Sequence, residues 1–340
     1  MREGKYLLLG LQEETNDYTF NPAQDRIGFL QDYINIPTDS TYDVKIFKEE
    51  LEYEISRPKH EGKNKILIGY QGNIDSLKLT TNTNLPADFE STIIKDLEKD
   101  TLYYWFKPAI DLEKEDTLQF ISKNKTQIDT LDTRLRDLFA DSLKIKSVTG
   151  STLILRDTMR LTSSTPIVSL DNEKIRIMSR DSVFITPTVQ IDTEYNTAGI
   201  IFDKEEAQTY KVDIFPEAFR DYFGQTNDTL NYVVRTQEDS DYGTLTLNLV
   251  NAKNFPLIVQ VVDTKFKVVA ESYLTELGPV YFDYILPSFY YVRIIEDSNS
   301  NKIWDTGNFM KRIQPENVIY FPEQIEIRAN WSWNETFTLD

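Results

Sequence analysis

Apolar and polar residues alternate along much of this 340-residue chain, and a period of two is the signature of half-buried β-strands. Ile175 and Ile177, Leu245, Leu247 and Leu249, and Ile325 and Ile327 set apolar side chains on one face with polar ones between. Turn signals such as Pro86, Asn227-Asp228 and Asp305-Thr306-Gly307 recur at short intervals, as they do in sandwiches rather than α/β units. Nineteen Tyr and nineteen Phe suit a pleated, half-buried surface. These features predict an all-β chain of tandem β-sandwich domains with few short helices. One helix is expected over 216–224, opened by Pro216 and closed by Gly224. Phe89, Ile93 and Leu97 recur every four residues, but the polar cluster 96–101 divides them from the apolar run 102–106 and favours a hairpin. The run 131–143 reads either way.

A chain of this length holds about two to four domains. Its net charge of −18 repels phosphate, which argues against a nucleic-acid partner and against an anionic membrane face. Cations are the natural small partners, and solubility alone also accounts for the charge. There is no cysteine, so disulfides, thiolate metal sites and Cys nucleophiles are excluded together. The single histidine, His60, sits in the polar run 57–62 and reads as a solvated linker residue, which leaves little for a zinc site. No stretch approaches the roughly 20 apolar residues of a membrane-spanning helix. The run 255–262, broken by Pro256 and Gln260, reads as a buried strand. Residues 1–5 carry no signal-peptide pattern.

An internal repeat organises the chain. Residues 6–22 align without gaps to 290–306, placing Tyr6 on Tyr290, Glu13 on Asp297, Thr15 on Asn299, Asp17 on Asn301, Phe20 on Trp304 and Asn21 on Asp305. Each copy runs from an apolar strand into a polar loop, an aromatic and then Asn or Asp, and continues to an Ile36-Pro37 or Phe321-Pro322 turn. The C-terminal copy has strands upstream of it, whereas the N-terminal copy starts abruptly and reads as the second half of a module. The expected division is 1–56 (the C-terminal half of a module), 57–145 (a β-sandwich), 146–238 (a third sandwich) and 239–340 (a complete module).

The run 3–8 with its acidic loop, and the run 290–294 followed by 297–307, resemble the transthyretin-like modules of bacterial surface proteins, also called carboxypeptidase regulatory-like domains. Pro166-Ile167, the run 184–187, the run 210–214 and the turn through Gly224 to Leu230 make 146–238 resemble a bacterial Ig-like domain. The order as a whole, ending in 328–331 and 335–337, resembles the Ig-like-domain outer-membrane lipoproteins of Bacteroidota. That resemblance implies a lipoprotein at the outer membrane, cell surface or periplasm, held by an upstream lipid anchor, with other envelope proteins as partners and no catalytic activity.

The best ligand candidate is the loop holding Asp297, Asn299, Asn301 and Asp305. Side chains at positions 1, 3, 5 and 9, with the Ile303 carbonyl at 7, can wrap a calcium ion, which takes six to eight oxygens. Position 6 is Lys302 rather than glycine and position 12 is Asn308 rather than a bidentate Glu. The same residues equally read as an Asx-rich turn that caps itself. Trp304, Trp331 and Trp333 suit either a sugar-binding platform or core packing. No nucleophile elbow, phosphate loop or dinucleotide fingerprint is present. A glycosidase pair needs two carboxylates about 5–10 Å apart across a cleft, which a sequence does not display. The expected function is a non-catalytic structural and protein-interaction scaffold. The alternatives are an extracellular carbohydrate- or ligand-binding module and an accessory region of an enzyme whose catalytic domain lies upstream.

Overall fold

The computed structural model describes residues 2–83, 85–111 and 116–339. They form strands throughout, and helical structure among them is confined to two three-residue 3-10 turns, Asn172–Lys174 and Asp239–Asp241. The expected helix over 216–224 is instead a turn followed by the short strand Phe219–Asp221. Two side chains override the Pro–Gly punctuation. Asn227 accepts the Phe219 N–H at 2.7 Å and donates to the Phe215 carbonyl at 2.9 Å. Asp221 accepts the N–H groups of Phe223 and Gln225 at 3.0 and 2.7 Å. These bonds take the peptide groups a helix would need. The hairpin favoured over 89–107 forms, with Glu90–Lys95 antiparallel to Thr101–Lys107.

The chain divides into two compact units, residues 1–51 with 239–340 (unit 1) and residues 52–238 (unit 2). In unit 1, Leu257–Val262 lies between Val268–Leu274 and Ser288–Glu296, and Val318–Tyr320 ends that sheet. Gly243–Val250 lies between Pro279–Ile285 and, in parallel, Ser332–Thr338 in the facing sheet. Leu245, Leu247, Val259, Val292, Ile294 and Phe337 are among the side chains the two sheets bury between them. All six residues of Leu257–Val262 are buried, as the broken apolar run suggested. Leu257, Val259 and Val261 face this core, while Ile258, Gln260 and Val262 are buried on the opposite face of the sheet.

Residues 1–51 contribute β1 (Gly4–Tyr6), β2 (Leu9–Gln12), β3 (Arg26–Phe29) and β4 (Ile34–Ile36). β1 pairs with β4 and β2 with β3, and Phe47 bridges to Ile27. Gly10 and Gly28 stand opposite each other, and the chain at 44–46 crosses directly over them. A Cβ on Gly28 would collide with the Lys45 carbonyl, so this crossing requires glycine. Ile27, Phe29 and Phe47 form a small core completed by Phe20 and by Phe309 of the C-terminal module.

Unit 2 holds two sandwich cores. One gathers Ile55, Ile66, Ile68, Leu102, Phe106 and Phe120. The other gathers Leu161, Ile177, Ile200, Val212, Phe219 and Val234 among others. Trp105 and Phe223 meet across their seam with ring centroids 5.9 Å apart, and Lys107 sits 4.4 Å from the Tyr222 ring centre. Lys95 pairs with Glu194 at 2.6 Å.

Candidate functional site

The polar loops of the two repeat copies share a device that their alignment did not reveal. In the C-terminal copy, Glu316 closes the loop by accepting the Ser298 N–H and hydroxyl on Oε1 at 2.6 and 2.8 Å and the Asp305 N–H on Oε2 at 3.1 Å. In the N-terminal copy, Asp25 accepts the Glu14 N–H on Oδ1 at 3.0 Å and the Asn21 N–H on Oδ2 at 2.7 Å. The gapless alignment pairs Glu14 with Ser298 and Asn21 with Asp305, so one carboxylate clamps equivalent peptide groups in both copies. The tyrosines that open the copies are equivalent too. Tyr6 donates its hydroxyl to the Arg2 carbonyl and Tyr290 to the Leu286 carbonyl, both at 2.8 Å and both four residues back.

The four candidate calcium ligands are brought together and are bonded to one another. Asp297 accepts the Asn301 N–H at 3.1 Å and the Lys302 N–H at 2.9 Å. Asn299 and Asn301 donate their amides to Asp305 Oδ2 at 2.6 and 2.8 Å. Asn301 accepts the Ile303 N–H at 2.9 Å. Lys302 holds a φ of 67°, the left-handed conformation that glycine favours. Among the described residues no group of three or more His, Cys, Asp or Glu side chains is arranged to hold a metal ion.

His60 is not a solvated linker residue. It lies in the strand Lys59–Gly62, only 7% exposed, and its Nδ1 accepts the Arg136 N–H at 3.0 Å. Burial holds its imidazole below the ordinary histidine range. The sequence misses this because strand alternation is masked there by the charged residues at 57–63. The three tryptophans do not form one platform. Trp331 and Trp333 are neighbours with centroids 6.1 Å apart, and Trp333 packs against the module core. Trp304 donates its Nε1–H to the Glu316 carbonyl at 3.2 Å and lines a cleft of unit 1.

That cleft, of about 750 Å³, has walls from both ends of the chain. Ile295, Val318 and Tyr320 form its floor, on the sheet face that points away from the module core, and Ile46, Phe266 and Trp304 line it beside them. Arg26, Lys45, Lys48, Lys265 and Arg293 also line it. Arg293 is held in place by Gln260 at 2.7 Å and by the Tyr320 hydroxyl at 3.4 Å, and Lys45 donates to Asn317 Oδ1 at 2.6 Å. The one carboxylate in the lining is Glu316, whose oxygens are committed to the loop clamp. Five cations about an apolar floor make a positive site on a chain whose net charge is −18. The sequence gives no local signal of it, because its five cations come from four separate stretches.

A second cleft of about 460 Å³ lies at the seam inside unit 2. Lys65 sits there 5.3 Å from the Trp105 ring centre, 3.3 Å from Asp141 and 3.9 Å from Glu61. The Tyr103 hydroxyl donates to Asp96 at 2.9 Å, and burial together with that carboxylate pushes its phenol up to about 12. Its charges are mixed and largely paired with one another, unlike those of the unit 1 cleft.

No family model matches the chain, and no curated protein is similar to it. Among solved structures, it is similar to a crystal structure of titin domains at 9% identity, covering 82% of this chain and 98% of that one with a TM-score of 0.20. BcpA, the major pilin subunit of Bacillus cereus, is 10% identical over 78% of this chain and 93% of that chain, with a TM-score of 0.21. The N-terminal eight Ig domains of Down Syndrome Cell Adhesion Molecule are 10% identical over 88% and 45% of the two chains, with a TM-score of 0.20. At these values the likenesses carry no argument about function.

Proposed function

We propose that this chain is a non-catalytic structural and protein-interaction scaffold of the bacterial envelope, acting as an accessory subunit of an outer-membrane protein complex. The observation that carries the interaction reading is the cation-lined, apolar cleft of unit 1 on an otherwise acidic chain. Aromatic and Arg side chains around an apolar centre are the composition of a protein-binding surface. The envelope setting draws on the resemblance of the two repeat copies and of residues 146–238 to bacterial surface modules. The single histidine has its Nδ1 occupied by a backbone N–H, which supports the non-catalytic reading. Affinity isolation of the tagged full chain from detergent-solubilised envelopes tests it. A stoichiometric protein partner is expected, and its absence contradicts the scaffold.

The seam cleft of unit 2 favours one further reading, a site for a carbohydrate or similar polar ligand. Tyr103 and Tyr195 line it, with the exposed Glu98 and Lys99 as polar groups beside them. A glycan array probed with the chain tests it, and binding that survives Tyr103→Ala together with Tyr195→Ala excludes the cleft.

A further inference from the structure

We infer that the unit 1 cleft receives an extended, acidic segment of a partner protein that also carries apolar side chains. The inference rests on the interaction reading above and adds the chemistry of the partner. Three observations converge on it. Among the described residues, none of the five cations lining the cleft takes part in an ion pair, and Lys45, Lys48 and Lys265 are exposed. Unneutralised cations on a strongly acidic protein select an anionic partner and speed its arrival. The apolar groups beside them are accessible, with Phe266 52%, Tyr320 44%, Ile46 43% and Trp304 40% exposed. An occupant therefore needs apolar side chains as well as charge.

The third observation is a strand edge. Among the described residues, Val318–Tyr320 is the last strand of its sheet and pairs only with Ser288–Glu296. The Asn317 carbonyl accepts the Glu296 N–H at 3.0 Å, and the Phe321 N–H donates to the Val292 carbonyl at 2.9 Å. Antiparallel ladders alternate, so the peptide groups of Val318 and Tyr320 point away from that neighbour. These are also the two residues of the strand whose side chains line the cleft. An extended peptide laid along this edge matches peptide groups, and every second side chain of it, on the face that carries the cleft, meets both the apolar floor and the cations. A lipid headgroup or a polyphosphate would answer only the charge and leave the apolar floor and the strand edge unmatched.

Fluorescence anisotropy with the full chain tests this. The probes are a labelled peptide of about eight residues with Glu and Phe in alternating pairs, so that each face of the strand carries both, its Lys-for-Glu counterpart and its Ser-for-Phe counterpart. The Glu–Phe peptide alone is expected to bind, more weakly as salt rises. The double variant Lys48→Glu/Lys265→Glu is expected to bind it at least about tenfold more weakly. Lys123→Glu/Lys146→Glu, which changes net charge equally on unit 2, leaves binding unchanged. Should the cleft variant fail to fold, Lys48→Gln/Lys265→Gln carries the same test with a smaller loss. No binding of the Glu–Phe peptide, equal binding of the Lys–Phe peptide, or undiminished binding by the cleft variant overturns the inference. So does capture of phosphatidylglycerol vesicles through Lys48 and Lys265 by a chain that ignores the peptide. Failure of envelope isolation strikes the scaffold reading, whereas these outcomes strike the cleft's occupant.

Discussion

The two ends of the chain carry the same loop in different surroundings. In the C-terminal copy, Tyr290 lies within a nine-residue strand of a five-stranded sheet, is 4% exposed and belongs to a core of sixteen buried side chains. In the N-terminal copy the equivalent stretch breaks into β1 and β2, each paired with one strand, over only three buried residues. Yet the carboxylate clamp and the tyrosine bond survive in both. Local hydrogen bonding is thus enough to keep the loop's shape, while sheet and core decide how much stability stands behind it. The N-terminal copy draws its support from the C-terminal module. Phe29 meets Phe309 at 5.5 Å, Gln314 donates to the Phe29 carbonyl at 2.8 Å, Arg312 donates to the Gln31 carbonyl at 2.7 Å, and Thr306 donates to the Lys48 carbonyl at 2.5 Å. Glu49 accepts the Phe309 N–H.

Truncation of a core residue separates the copies most strongly. Ile294→Ala removes a fully buried side chain and is expected to cost unit 1 about 2–5 kcal/mol in chemical denaturation. Leu9→Ala, at a position 46% exposed, is expected to cost less than about 1 kcal/mol. Equal losses would mean that the N-terminal copy owns a core of its own. Gly307→Val comes next. A Cβ on Gly307 would stand 2.6 Å from the Phe47 ring and 2.7 Å from the Ile313 carbonyl, an overpacking worth about 3 kcal/mol. Limited proteolysis should then cut within residues 1–51 first, with the C-terminal module still resistant.

Loss of a clamp is smaller. Asp25→Ala strands two backbone N–H groups beside a residue that is 1% exposed, at a cost of about 2 kcal/mol. Glu316→Ala, at a half-buried position, is expected to cost about half as much. A larger loss at Glu316 would reverse the view that the N-terminal copy depends more on its clamp. Calcium should have the least effect. The carboxylate and amide oxygens of the 297–305 loop already accept N–H groups, so we propose that it is a self-capped turn. Calorimetric titration should give no heat with calcium, and a rise in Tm would restore the calcium reading.

Alternation, turn spacing and the repeat made the all-β architecture legible, because strand period and turn chemistry are local properties. The clamp was not legible. Asp25 lies four residues beyond Asn21, but Glu316 lies eleven beyond Asp305, so a gapless alignment cannot pair them. The helix expected over 216–224 failed because Asn227, beyond the Pro–Gly frame, and Asp221, within it, bond its peptide groups. The cleft escaped for a similar reason. Arg26 and Lys48 reach Lys265 and Arg293 only through the fold, and charge that reads as unremarkable along the sequence becomes concentrated in space.

Hydrogen exchange by mass spectrometry on the full chain, with and without the Glu–Phe peptide, tests most directly the claim that both ends of the chain build one binding cleft. Simultaneous protection of 44–48, 265–266 and 318–320 is the result expected. Protection confined to one wall, or none at either, would contradict it.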